Sequence, residues 1–258
     1  MVNFAELQRL TMEHDDSVAQ SRLQLDRIAE LFRAIPDQPL YMKFFAAVRK
    51  DFPLQAFYDA GAFAVPEDYT AYFLPEELRH DSYGMCRDGD LIYAGRFVYP
   101  VHDTKGHIAG WCGYDATSTP KYLDSTNYGY SAKSGLFYGA EKLPEYYRST
   151  EPVIVVEGIV CCLWLRSQGF QALASLGSYL TPYMITMLKR LGTRCVVIPD
   201  ADEAGNKYRS QVRRTLPQAR CLQSKIAKDI DDSRKVNPDL AIEVAKAIKP
   251  FGLSSCFA

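Results

Sequence analysis

From residue 152 the chain alternates between short apolar runs and longer amphipathic ones, and this alternation limits the fold more than any other feature. The runs "VIVV", "QALAS", "CVVI" and "ARCLQS" read as strands. Between them, "GIVCCLWLRSQG", "TPYMITMLKRLG" and residues 204–216 read as helices. The second helix carries its own punctuation: Thr181 as cap, Pro182 at the first helical position and Gly192 as stop. A last helix is expected over 238–249, after Asn237. Strands this short, each followed by a helix, are joined by crossovers rather than hairpins. The expected fold class is therefore α/β, a parallel sheet flanked by helices.

Ligands of such sheets sit beyond the carboxyl ends of the strands. Two strands here end in acids: "VIVVEG" in Glu157, and "CVVIPDADEAG" in Asp200 and Asp202. A third acidic stretch, "AKDIDDSRK", supplies Asp229, Asp231 and Asp232 after the fourth strand. Each has a plain structural reading. An acid after a strand often opens a helix, where the dipole favours it. An Asp-x-Asp is often a turn, and a charged loop is often only solvated. Together at one sheet edge, however, unpaired carboxylates repel one another unless a cation intervenes. Mg²⁺ suits such a place, because it binds through a few carboxylates, waters and substrate phosphate.

Upstream, residues 17–33 read as a helix capped by Ser17, with Val18, Leu25, Ile28, Ala29 and Phe32 on one face. Helices are also expected over 39–50 and 53–60, so residues 1–90 read as mostly helical. From 92, "IYAGRFVYPV" and "HIAGWCGYDA" flank "HDTKG", the pattern of a β-hairpin. A loop-rich tract over 115–150 follows. Residues 1–90 carry 16 acids and 9 bases, whereas 91–258 carry 15 acids and 21 bases. That excess permits a nucleic-acid surface on the second part.

Composition excludes other classes. At 47% hydrophobic the chain is globular, and no run approaches the roughly 18 residues of a membrane span. The first residues, "MVNFAELQRLTMEHDD", lack the basic-then-apolar order of a secretory signal, so a cytoplasmic location is expected. The seven cysteines are scattered, with no C-x-x-C pair, which argues against a structural zinc site.

The segments "VIVVEGIV", "ALASLGSYLT" and "CVVIPDADEAGNKYRS" resemble the Toprim domain of primases, topoisomerases and certain nucleases. With "RFVYPVHDTKGHIAGWCGYDA", "PKYLDST" and "YSAKSGLFYG" upstream, residues 92–235 resemble the catalytic core of bacterial DnaG-type DNA primases. The resemblance implies four parts: a mostly helical N-terminal region over 1–90, a basic hairpin and loop part of a mixed α+β primase subdomain over 91–150, a Toprim metal-binding domain over 151–235, and a C-terminal helix and tail over 236–258.

It also implies RNA primer synthesis on single-stranded DNA from ribonucleoside triphosphates. Glu157, Asp200 and Asp202 are then catalytic and hold Mg²⁺ or Mn²⁺, with Asp229 and Asp231 as further metal positions. Arg96, Lys121 and Lys133 line the groove and contact phosphates, and Tyr122, Tyr130 or Tyr138 could stack on bases. Two positions depart from the family pattern: Cys161 stands where it usually has an acid, and Asp124 where it usually has an asparagine. The zinc ribbon and the helicase-docking domain of the family have no counterpart in the sequence, which points to a stand-alone primase of phage or mobile-element type. A replicative helicase or a separate zinc-ribbon protein is the expected partner. Another Toprim enzyme, such as a nuclease, or a non-catalytic DNA-binding module are the alternatives.

Overall fold

The computed structural model describes residues 21–49, 52–127, 130–131, 136–223 and 226–249. The chain forms two compact units. One comprises the described parts of residues 1–43 and 61–132, the other those of 44–60 and 133–258.

In the first unit, helix α1 (residues 21–33) is followed by α2 (Gln38–Val48), which runs on into the second unit; α3 (Leu54–Asp59) belongs to the second unit entirely. The Ser17 cap lies outside the described residues. Residues 61–90 are not helical as expected. They hold strand β1 (Phe63–Ala64), three single 3-10 turns and a ribbon of β2 (Cys86–Arg87) and β3 (Asp90–Leu91). β1 was hidden because only two residues of it pair, and both faces are buried, so no alternation marks it.

The expected hairpin is present as β4 (Phe97–His102) and β5 (Ile108–Tyr114). It starts later than residue 92, because Ile92–Gly95 turn to place Tyr93, fully buried, against Gly113. A Cβ on Gly113 would meet the Tyr93 ring at 2.4 Å, so only glycine fits there. With β6 (Tyr122–Asp124) the sheet order is β1-β4-β5-β6, all antiparallel, and a ribbon of β7 (Thr126–Asn127) and β8 (Tyr130–Ser131) follows. Its core gathers Leu25, Ile28, Phe32, Phe63, Tyr93 and Trp111, with the Phe32 and Phe63 rings stacked at 5.2 Å.

In the second unit, a short helix α4 (Leu143–Tyr146) leads into the alternation that the sequence announced. Strand β9 (Val153–Val156) is followed by helix α5 (Ile159–Ser167), β10 (Gln171–Ala174), α6 (Pro182–Lys189), β11 (Cys195–Val197), α7 (Glu203–Thr215) and β12 (Arg220–Cys221). All pairings among these strands are parallel, in the order β10-β9-β11-β12. Helix α8 (Ile230–Arg234) follows, then α9 (Leu240–Ile248). As expected, Thr181 caps α6, accepting from Met184 N at 3.2 Å, with Pro182 in the first turn.

Val153, Val155, Leu173, Cys195 and Val197 face the α6 and α7 side, with Tyr208 and Val212 packed on them. Helix α5 is buried along Ile159–Leu165 without a polar break, so it must be covered on its outer side too. Helices α3 and α8 pack on it and supply that cover. This is why residues 44–60, read as part of a helical N-terminal region, fold with the second unit. No helix among the described residues is long and apolar enough to cross a membrane.

Candidate metal centre

From β9 the chain moves to β10 on one side, then crosses to β11 on the other. The point of reversal lies between β9 and β11, where open α/β sheets hold their ligands. Glu157 follows β9 and Asp200 follows β11, so both strand-end acids stand at that crevice.

The geometry ties them together. Glu157, buried, accepts from the Asp200 backbone N–H at 3.0 Å through Oε1. Asp202 caps α7, accepting from Gly205 N at 2.8 Å. Gly205 is required: a Cβ there would stand 2.0 Å from the Asp200 carbonyl oxygen. The first turn of α7 therefore lies directly on the Asp200 backbone. Asp229 caps α8 in the same way, accepting from Asp232 N at 2.7 Å. The loop after β11 is joined to the loop before α8 by a bond from Ala201 N to Lys228 O at 2.6 Å.

Electrostatics separate the acids. Burial, then the Glu157 and Asp229 carboxylates, push Asp200 up to about 7. Burial likewise raises Glu157, with Asp202 adding to it, and raises Asp229, with Asp232 and Asp231 adding. Asp202 is lowered instead, by the Gly205 N–H and by Lys228. Lys228 Nζ lies 3.1 Å from Asp202 Oδ2 and 4.0 Å from Asp200 Oδ2. An open depression of about 400 Å³ adjoins, lined by Ser178, Asp202, Glu203, Ala204 and Lys207. Glu203 pairs with Lys207 at 2.8 Å on the exposed face of α7.

Among the described residues no three His, Cys, Asp or Glu side chains are gathered tightly enough to enclose a metal by themselves. A hard divalent cation does not need that, since it takes one or two carboxylates and completes its shell with water and phosphate oxygens. The donors fit such an ion. They are all oxygens, and Asp200 is pushed up by burial and by the Glu157 and Asp229 carboxylates, which Lys228 offsets only in part.

The other expected residues are placed as follows. Asp231 is buried, with both oxygens bound to cations: Arg49 at 3.1 Å, Arg234 at 2.8 Å and Lys235 at 3.0 Å. Cys161 is also buried, and burial followed by the Asp229 charge raises its thiol well above the usual range, so it stays neutral. In the first unit, Arg96 donates through Nη1 and Nη2 to the Pro120 carbonyl at 3.3 Å and through Nη1 to the Lys121 carbonyl at 3.3 Å, holding the loop that carries exposed Lys121. Tyr122 is exposed and packs on Tyr114 with ring centroids 4.9 Å apart. Asp124 lies in β6, opposite Cys112. Tyr138 differs from expectation. Its ring is 4% exposed and its backbone bridges Ala174 at the sheet edge, so it offers no face to a base. Lys133 and the Tyr130 side chain lie outside the described residues. The sequence reading missed Lys228 because a lysine beside aspartates is usual in exposed loops; only the crossing of two loops brings it to the Asp200–Asp202 pair.

The Toprim-like family profile matches residues 154–234. The DnaG primase catalytic domain bound to single-stranded DNA superposes with a TM-score of 0.74 at 22% identity, over 91% of this chain and 81% of that one. This chain has the fold of the DnaG-type primase catalytic core. The Escherichia coli primase catalytic core gives a TM-score of 0.71 at 23% identity, covering 86% of this chain and 78% of that one. Among curated relatives, the DNA primase of Deinococcus radiodurans is 34% identical over 118 residues, which is 45% of this chain and 21% of that protein. The matched stretch spans between 19% and 28% of the length of these curated primases. The Toprim-like segment contains Glu157, Asp200, Asp202, Asp229 and Asp231.

Proposed function

We propose that this chain synthesises short RNA primers on single-stranded DNA by metal-dependent nucleotidyl transfer. The observation that carries this reading is Asp200, held up to about 7 between Glu157 and Asp229 at the switch point of a DnaG-type sheet. Glu157, Asp200 and Asp202, with Asp229 beside them, hold Mg²⁺ or Mn²⁺. An ion held there would neutralise charge on the triphosphate of the incoming ribonucleotide and on the attacking and leaving oxygens. Lys228 pairs with Asp202 at 3.1 Å and reaches Asp200 at 4.0 Å, holding the two carboxylates together. Arg96 positions the Lys121 loop, and Lys121 and Lys133 contact phosphates of nucleotide, primer or template. Tyr122 offers an exposed ring to a base. A replicative helicase or a separate zinc-ribbon protein acts with the chain to start primers in the cytoplasm of a bacterial or phage-infected cell.

The test incubates the protein with single-stranded templates, labelled ribonucleotides and Mg²⁺ or Mn²⁺, beside Asp200→Ala. Template-dependent oligoribonucleotides that disappear in the variant are the expected result. Cleavage of the template without incorporation would instead identify a Toprim nuclease.

A further inference from the structure

The pairing of Asp229 with Asp231 looks like a chelating Asp-x-Asp in the sequence, because alternate residues of a strand share a face. The structure breaks that equivalence. Helix α8 begins between the two, with Asp229 as its cap and Asp231 at its second residue. Two helical residues turn the chain by about 200°, so the two carboxylates leave in different directions.

Asp231 is held on every side. Arg234 and Lys235 reach back to it from three and four residues on, the spacing at which helical side chains meet. Arg49, far away in sequence, completes the set through a side chain 10% exposed. Arg234 also donates to the Arg49 carbonyl and lies over the Phe52 ring, 4.8 Å from its centroid. Beneath, Cys161 lies buried on α5, against which α8 packs. A divalent ion brought to Asp231 would have to compete with three cations already held at 2.8–3.1 Å from its two oxygens, and their charge opposes it.

We propose that Asp231 is a positioning residue, not a metal ligand: it latches Arg49 onto α8 and thereby fixes where the Asp229 carboxylate and Lys228 stand at the crevice. This rests on the metal-centre reading above. The link runs from Arg49 through Asp231 to the start of α8, and from Lys228 O across to Ala201 N beside Asp200. The segment 44–60 is then part of the catalytic machinery's support.

The test uses the full chain and reads Mn²⁺ binding by electron paramagnetic resonance, without substrates, together with thermal melting. The variants are Asp231→Asn, Arg49→Gln, Arg49→Lys and the double variant of the first two. Partners that orient metal ligands typically affect metal affinity by about 10–100-fold. Asp231→Asn and Arg49→Gln are therefore each expected to weaken Mn²⁺ binding by about tenfold with the number of bound ions unchanged. The double variant is expected to be no weaker than either single one, and Arg49→Lys to recover part of the loss. Loss of a bound ion in Asp231→Asn, with Arg49→Gln binding like the wild type, would overturn the proposal and make Asp231 a ligand. Arg49→Gln decides the question alone if Asp231→Asn does not fold. A wild type that binds no Mn²⁺ overturns the metal-centre reading itself, and this proposal with it.

Discussion

Asp200 shows what one carboxyl does when the fold sets it among its own kind. Its folded value of about 7 lies above the ordinary carboxylate value of 3.8. Between the two the folded chain holds more protons than the unfolded one, so stability falls as pH rises through that window. Without divalent metal, Asp200→Asn is expected to melt higher than the wild type at pH 8 and to lose most of the difference at pH 4, as read by scanning calorimetry. Gly205 is the counterpart on the backbone. Gly205→Ala is expected to displace the start of α7 from Asp200 and remove ribonucleotide incorporation, while circular dichroism shows the fold retained. Glu157 and Asp200 stand out in the sequence because each follows an apolar run, and Asp202 comes two residues after Asp200. Asp231 was legible only as an acid. Its role depends on Arg49, which no local pattern connects to it. Tyr138 was misread because a tyrosine in a basic tract looks the same whether its ring faces solvent or the sheet.

At the scale of elements, the strands and helices of residues 152–223 could be read with small boundary errors, since each is a short, unbroken apolar or amphipathic run. Less could be read over 61–90, where single turns and two-residue strands are held by tertiary packing alone. The covering of α5 was also hidden. "IVCCLWL" tells that the helix is buried all round, yet nothing in it says what covers it. Phe57 in α3 is fully buried and stacks on Phe52 with ring centroids 4.7 Å apart. Phe57→Ala is expected to cost about 3–5 kcal/mol in chemical denaturation. The loss should appear in hydrogen exchange of α5 and β9, a hundred residues downstream, and leave α1 and β5 unchanged. Equal loss in both units would argue against the assignment of α3 to the second one.

For the whole molecule, two units each hold their own core, one around Trp111 and one around the parallel sheet. The unit with the acidic crevice takes residues 44–60 from upstream. A fragment covering residues 136–249 alone is accordingly expected to lack a cooperative melting transition and to bind a hydrophobic dye, because α5 loses its cover. The resemblance to DnaG-type primases foretold the fold of the chain, and the strand order sets Glu157 and Asp200 at the crevice where that order reverses. A divalent cation is expected to relieve their mutual repulsion. The most direct measurement is the shift in melting temperature on adding Mn²⁺, at pH 8 and at pH 5, for the wild type and Asp200→Ala. The expected result is a rise of several degrees at pH 8 in the wild type, a smaller rise at pH 5, where Asp200 holds its proton, and none in the variant. An equal rise in both proteins, or no rise in the wild type, would contradict it.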